Sequence, residues 1–179
     1  LGREDTSFIL ASEECAFNTL RANFIREIKP GELIRLGRNG IEDSLIWAEN
    51  PHLRFCIFEF VYFARPDSRF CGKRVNSYRY EAGELVAREH PIEADIVSSV
   101  PEAGEVYNYG AAHILGIPVR KAIYRNRYFA MRTFMAPRET NRSDLQKSKF
   151  HVLREVVHKK RVVITEDSIV RGNVSPAVV

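Results

Sequence analysis

The stretch that most constrains this chain runs Arg161-Val162-Val163-Ile164-Thr165-Glu166-Asp167-Ser168-Ile169-Val170-Arg171-Gly172-Asn173. Val162, Val163 and Ile164 form a β-branched apolar run, which predicts a strand buried on both faces of a parallel sheet. Glu166 and Asp167 follow at its C-terminal end, then Ser168 and, further on, Gly172. A turn there directs successive backbone N–H groups into a small concavity ahead of a helix. Unpaired amides and the helix dipole both favour an anion, so the concavity suits a phosphate. Carboxylates beside it would hold a pair of sugar hydroxyls, or a metal ion bound with the phosphate. A strand ending in a polar turn, with Asp167 or Ser168 as N-cap, accounts for the same residues without a ligand.

Upstream, the chain supplies a second unit of the same kind. Ala94-Asp95-Ile96-Val97 reads as a strand and ends in Ser98-Ser99-Val100-Pro101-Glu102-Ala103-Gly104. A helix over 106–115 follows, and Gly116-Ile117-Pro118-Val119 closes it and opens the next strand. Tyr78 to Glu89 reads as an amphipathic helix with Tyr78, Ala82, Leu85 and Val86 near one face. Strands alternating with helices predict an α/β, mainly parallel sheet flanked by helices, with ligands at the strands' C-terminal ends. The polar turns at Glu102 and Glu166 therefore fall on one edge.

Residues 1–50 have a different texture. Phe8 to Ala11 and Leu33 to Leu36 read as strands, a short helix runs from Ser12 or Glu13 through Leu20, and Asn39-Gly40 is a hairpin turn. The composition changes near Asn50-Pro51, where Phe55-Cys56-Ile57-Phe58-Glu59-Phe60-Val61-Tyr62-Phe63 reads as a core strand ending before Pro66. Cys15, Cys56 and Cys71 are an odd number at irregular spacing, which predicts neither disulfides nor a zinc site and fits a reducing cytoplasm. There is no apolar run of membrane-spanning length and no signal peptide. The net charge of +4 is uneven. Residues 120–161 hold 13 Lys and Arg against three acids, +10, and the rest of the chain is −6. Such a segment is a solvated face, a polyphosphate contact or a nucleic-acid contact.

The string Glu-Asp-Ser-Ile-Val-Arg-Gly at 166–172 resembles the phosphoribosyl-pyrophosphate (PRPP) motif of type I phosphoribosyltransferases, in the form found in the glutamine PRPP amidotransferase family. Three further strings resemble that family in the same order: residues 55–68, Val100 to Gly104, and Tyr124 to Phe134. Ala11 to Ala16 and Ile25 to Glu32 resemble the last helix and strands of an N-terminal-nucleophile glutaminase domain.

The resemblance implies a type I phosphoribosyltransferase-like sheet preceded by a β-rich remnant of that glutaminase domain. Residues 1–50 would be the end of the glutaminase part and 51–179 a phosphoribosyltransferase domain that stops inside the helix after the phosphate loop. The implied reaction forms 5-phosphoribosylamine from PRPP and ammonia derived from glutamine, the first committed step of purine biosynthesis, with partial or no activity in this stretch alone. The glutaminase nucleophile is an N-terminal cysteine, which Leu1 does not supply.

PRPP would lie on Glu166, Asp167, Ser168, Ile169, Val170, Arg171, Gly172 and Asn173, with Mg²⁺ at Glu166 and Asp167. Pyrophosphate would lie on Glu102, Ala103 and Gly104, where the family usually has aspartate and serine in place of Glu102 and Ala103. Arg125, Arg127, Tyr128 and Arg132 would belong to a flexible loop that closes over PRPP. Cys56 stands at a position that ligates an iron–sulfur cluster in some members, but a cluster needs four thiolates and this chain cannot complete one. The implied partners are PRPP, ammonia or glutamine, purine nucleotides as feedback inhibitors, and further copies of the full-length chain, with no membrane and a cytoplasmic location. Two other readings remain at this point: a PRPP or nucleotide sensor without turnover on the same fold, and nucleic-acid binding through 120–161.

Overall fold

The computed structural model describes residues 1–47, 52, 54–128 and 149–169. The chain divides into two compact units, Leu1–Val75 and Asn76–Val179.

In the first unit, β1 (Gly2–Glu4) pairs antiparallel with β2 (Ser7–Ile9) and β3 (Asn23–Phe24), and α1 (Cys15–Thr19) lies between the last two in sequence. Cys15 and Phe17 of α1 are buried, so Cys15 is a small core residue. The expected hairpin is β4 (Glu32–Gly37) against β5 (Gly40–Ile46), turning through Arg38–Asn39 into Gly40 at φ 145°, a conformation open to glycine. The Arg26 guanidinium clamps Glu32 with two nitrogens at 2.6 and 2.8 Å, and the Lys29 amide donates to the same carboxylate at 2.8 Å.

The aromatic run at 55–63 is not a strand. Residues 59–63 form a π-helix, Glu59–Phe63. Its apolar side is gathered by Phe60, which is buried, and by the ring cluster Phe55, Phe60 and Phe70 with centroids 5.1 to 6.1 Å apart. Continuous hydrophobicity alone cannot separate a buried strand from a short buried helix. Two short strands, β6 (Arg69–Phe70) and β7 (Lys73–Arg74), complete the unit.

The second unit is the α/β part. α2 (Val75–Glu89) leads to β8 (Ile96–Ser99), α3 (Glu105–Leu115), β9 (Ile123–Arg125), β10 (Phe150–Val152), the short helix α4 (Arg154–Val157) and β11 (Val162–Thr165). β11 lies parallel to β8, with Val162 opposite Ile96 and Thr165 opposite Ser99. On the other side of β8, Val97 donates to Pro118 at 3.0 Å and accepts from Arg120 at 2.9 Å, and a parallel bridge joins Val97 to Val119. β8 is thus the middle of three parallel segments, and all four of its residues are buried. α3 ends as expected, with Gly116 left-handed at φ 67°.

Two details differ from the sequence reading. β11 is only half-buried and Ile164 is 37% exposed, because Val163 and Ile164 border an open apolar cavity and not a packed layer. In α2 the buried row is Val75, Arg79, Gly83 and Ala87, whereas Leu85 and Val86 are exposed. That row repeats every four residues and contains the small and charged residues that a hydrophobic stripe would exclude.

Candidate active site at the ends of two parallel strands

The Ser99–Thr165 register brings the two polar turns together. The Val100 amide donates to the Thr165 carbonyl at 3.0 Å, one step beyond the paired strands. The Thr165 hydroxyl donates across to the Gly104 carbonyl at 3.0 Å. A Cβ on Gly104 would collide with the Thr165 carbonyl oxygen and stand 3.0 Å from that of Val100. Only glycine lets the two loops approach this closely.

Residues 100–104 form a tight turn that runs into α3. Gly104 and Glu105 donate to the carbonyls of Val100 and Glu102, both at 3.2 Å, and the Pro101–Glu102 peptide is cis. Glu102 is exposed, Ala103 half-buried and Gly104 buried. Beyond β11, Glu166, Asp167 and Ser168 are half-buried, Ile169 is exposed, and the Ser168 hydroxyl donates to Asp167 at 2.5 Å. Glu166 titrates above the ordinary carboxylate range, because burial and then the Asp167 charge disfavour its ionised form, while Lys149 acts the other way.

The antiparallel hairpin of β9 and β10 brings cations toward these acids. Its register pairs Arg125 with Phe150, and the Asn126 amide donates to the Lys149 carbonyl at 2.8 Å. Burial and then Arg125 hold the Lys149 ammonium below its ordinary pKa, while Glu166 pulls it back up. Arg125, Lys149 and Glu166 therefore share one electrostatic environment. Arg127 and Tyr128 are exposed on the turn that leaves β9. Arg132, Val170, Arg171, Gly172 and Asn173 lie outside the described residues.

Lys149, Thr165 and Tyr107 were not assigned roles from sequence. Lys149 is one cation among 13 in its segment, and only the hairpin register distinguishes it. Thr165 reads simply as the end of a strand, and Tyr107 as a helical aromatic.

No protein-family profile matches the chain. Over 170 residues it is 41% identical to the amidophosphoribosyltransferase of Synechococcus elongatus, covering 95% of this chain and 34% of that protein. The Mycobacterium tuberculosis enzyme of the same name is 41% identical over 179 residues, 100% of this chain and 33% of the relative. The Mus musculus one is 40% identical over 178 residues, covering 98% and 34%.

This chain is a homologue of the amidophosphoribosyltransferases. It spans about a third of the length of the curated relatives it matches. Its fold is theirs as well. The glutamine PRPP amidotransferase of B. subtilis, solved with ADP and GMP, superposes with a TM-score of 0.80 at 37% identity, covering 93% of this chain and 36% of that one. A second structure, described as the allosteric regulatory enzyme of purine biosynthesis, gives 0.77 at 35% identity, with 93% and 37% covered.

Among the described residues no helix is long and apolar enough to cross a membrane, and no three His, Cys, Asp or Glu side chains cluster as a metal cage. Glu166 and Asp167 suit Mg²⁺ nonetheless, because that ion is commonly held by one or two carboxylates together with substrate phosphates and water. Of the three cysteines, Cys15 is buried and Cys56 and Cys71 are exposed, and they form no metal-binding group among the described residues.

Proposed function

We propose that the second unit binds PRPP with Mg²⁺ and is the phosphoribosyl-transfer part of an amidophosphoribosyltransferase, with residues 1–50 belonging to the end of a glutaminase-like domain and 51–179 to the transferase domain. The observation that carries this reading is the stitching of loop 100–104 to segment 165–169 through Thr165 and Gly104. One ligand lying across that seam reaches both the loop that would take pyrophosphate and the carboxylates that would take ribose hydroxyls.

The chemistry asked of the protein is mainly positioning and charge neutralisation. Ammonia displaces pyrophosphate from C1 of the ribose: the C1–N bond forms as the C1–O bond breaks, and the oxygen leaves with its electron pair. Asp167 and Glu166 hold the ribose hydroxyls. The amides from Ser168 onward, through Ile169 to Asn173, hold the 5′-phosphate. Glu102 to Gly104 cradle the pyrophosphate, and Arg125 together with Lys149 offsets the charge that accumulates as it leaves. Arg127, Tyr128 and Arg132 belong to the segment that closes over it. When bound, Mg²⁺ screens the pyrophosphate charge. Glutamine as ammonia source, purine nucleotides as inhibitors, assembly into homo-oligomers and a cytoplasmic location belong to this proposal for the full-length protein.

The deciding experiment measures pyrophosphate release from PRPP and Mg²⁺ with ammonia and, separately, with glutamine, alongside calorimetric PRPP binding. Release with ammonia is the expected result. Binding without release would replace transfer with sensing, and absence of binding would overturn both. Salt-sensitive RNA or DNA binding that PRPP cannot displace would move the function to segment 120–161.

A further inference from the structure

The third parallel segment of the sheet carries a cation to the same edge as the two polar turns. Val97 in β8 donates to Pro118 and accepts from Arg120, so residues 118–120 run alongside β8 and deliver Lys121 at their C-terminal end, the edge where parallel sheets bind ligands. The backbone is fixed at the next residue. The Ala122 amide donates to the Ser98 hydroxyl at 3.1 Å, and the Ala122 carbonyl accepts from the Leu153 amide at 2.8 Å. From this anchored position the exposed Lys121 side chain donates to Glu105 Oε1 at 2.7 Å, with its Nζ 5.6 Å from the centre of the Tyr124 ring.

Glu105 gives the contact its meaning. It is the first residue of α3, directly after Gly104, and its amide donates to the Glu102 carbonyl at 3.2 Å. A carboxylate in the first turn of a helix suits the helix dipole. Here, however, that turn borders the loop proposed to take pyrophosphate, which already carries the exposed Glu102. A free carboxylate at 105 would oppose a polyanion on residues 102–104. An exposed ion pair of this kind contributes little to folding, so its consequence lies in the charge that the loop presents.

We propose that Lys121 is a positioning residue of the pyrophosphate loop: it ties the Glu105 carboxylate to the third parallel segment and cancels its charge, so that the anion meets a neutral first turn of α3. The proposal rests on the PRPP reading, and it adds to the site a cation from outside both loops.

The test is calorimetry on the full chain with Mg²⁺, using PRPP and, in parallel, ribose 5-phosphate, which lacks the pyrophosphate. Lys121→Gln should weaken PRPP binding by about 3- to 10-fold, the effect of one uncompensated charge close to a polyanion in a largely aqueous setting. The loss should shrink as salt is raised, and ribose 5-phosphate should bind as before. The melting temperature should stay within about 2 °C of wild type, because the pair is exposed. Lys121→Arg, which keeps the charge, should bind PRPP like wild type. The deciding variant adds Glu105→Gln to Lys121→Gln: with both charges gone, PRPP affinity should return to within about twofold of wild type, a rescue that lost packing would not show. PRPP binding unchanged in Lys121→Gln, an equal loss for both ligands, or a loss that Glu105→Gln does not repair overturns the proposal while PRPP binding itself stands. Wild type that fails to bind PRPP overturns the functional reading and this proposal with it.

Discussion

The Thr165 hydroxyl donates to the Gly104 carbonyl at 3.0 Å, so the last residue of β11 holds the last residue of the loop after β8. The contact requires a bare Cα at 104, since a Cβ would collide with the Thr165 carbonyl oxygen. Gly104→Ala should therefore cost about 1–3 kcal/mol, the usual range for overpacking a tight contact. It should also weaken PRPP binding by more than tenfold, because the two loops must separate. Thermal melting and calorimetry on the same sample check both. A variant as stable as wild type that binds PRPP normally would show that this approach is not needed.

Glu166 yields a pH prediction of defined sign. Burial first, and Asp167 second, raise its pKa in the folded state. The folded protein holds that proton more tightly than the unfolded chain. The associated stability is thus full below the ordinary carboxylate pKa and is lost as pH rises through the raised value. Glu166→Gln should melt higher than wild type near pH 7, by about 1–3 °C after discounting for partial exposure, and should match it near pH 4. A variant that melts lower near pH 7 would mean that attraction to Lys149 outweighs burial and Asp167.

Much of this architecture was legible because it follows from local rules. Asn39-Gly40 marks its hairpin, Gly116 its helix end, and the β-branched runs their parallel strands. The polar turns at Glu102 and Glu166 could be placed on one edge from topology alone. What could not be read was anything decided by a non-local close approach. Gly83 and Gly110 are small because helices cross there, and this leaves Arg79 in the buried row while Leu85 faces outward. Lys149 is set apart from its basic neighbours only by the β9–β10 register. The 55–63 run is apolar enough for a strand, and it winds into a π-helix because Phe60 meets Phe55 and Phe70 on one side.

In the first unit, the Arg26–Glu32 clamp provides an acid-sensitive fastening. Hydrogen bonds from Arg26, and then from the Lys29 amide, lower the Glu32 pKa to about 2. A depressed carboxylate contributes stability above its ordinary pKa and loses it as pH falls toward the folded value. Glu32→Gln should lower the melting temperature by a few degrees near pH 7, and the difference from wild type should shrink to nothing as pH approaches about 2. Circular dichroism melts across that range check it. A gap that persists in acid would assign the loss to packing and not to the charge.

Ala103 offers a gain-of-affinity test of the pyrophosphate loop. It sits half-buried between Glu102 and Gly104, in the turn whose backbone already bonds internally from Gly104 to Val100 and from Glu105 to Glu102. A serine at this place would present a hydroxyl able to donate to a pyrophosphate oxygen. Ala103→Ser adds one atom at a site that is not fully packed, so its effect on folding should stay within about 0.5 kcal/mol. A charge-assisted hydrogen bond is worth about 1.5–3 kcal/mol, part of which goes to ordering the hydroxyl. The expected outcome is PRPP binding about 3- to 10-fold tighter by calorimetry, with binding of ribose 5-phosphate, which lacks the pyrophosphate, unchanged. An equal gain for both ligands would place the new hydroxyl near the sugar or the 5′-phosphate. No gain for either would remove loop 100–104 from the pyrophosphate contact altogether.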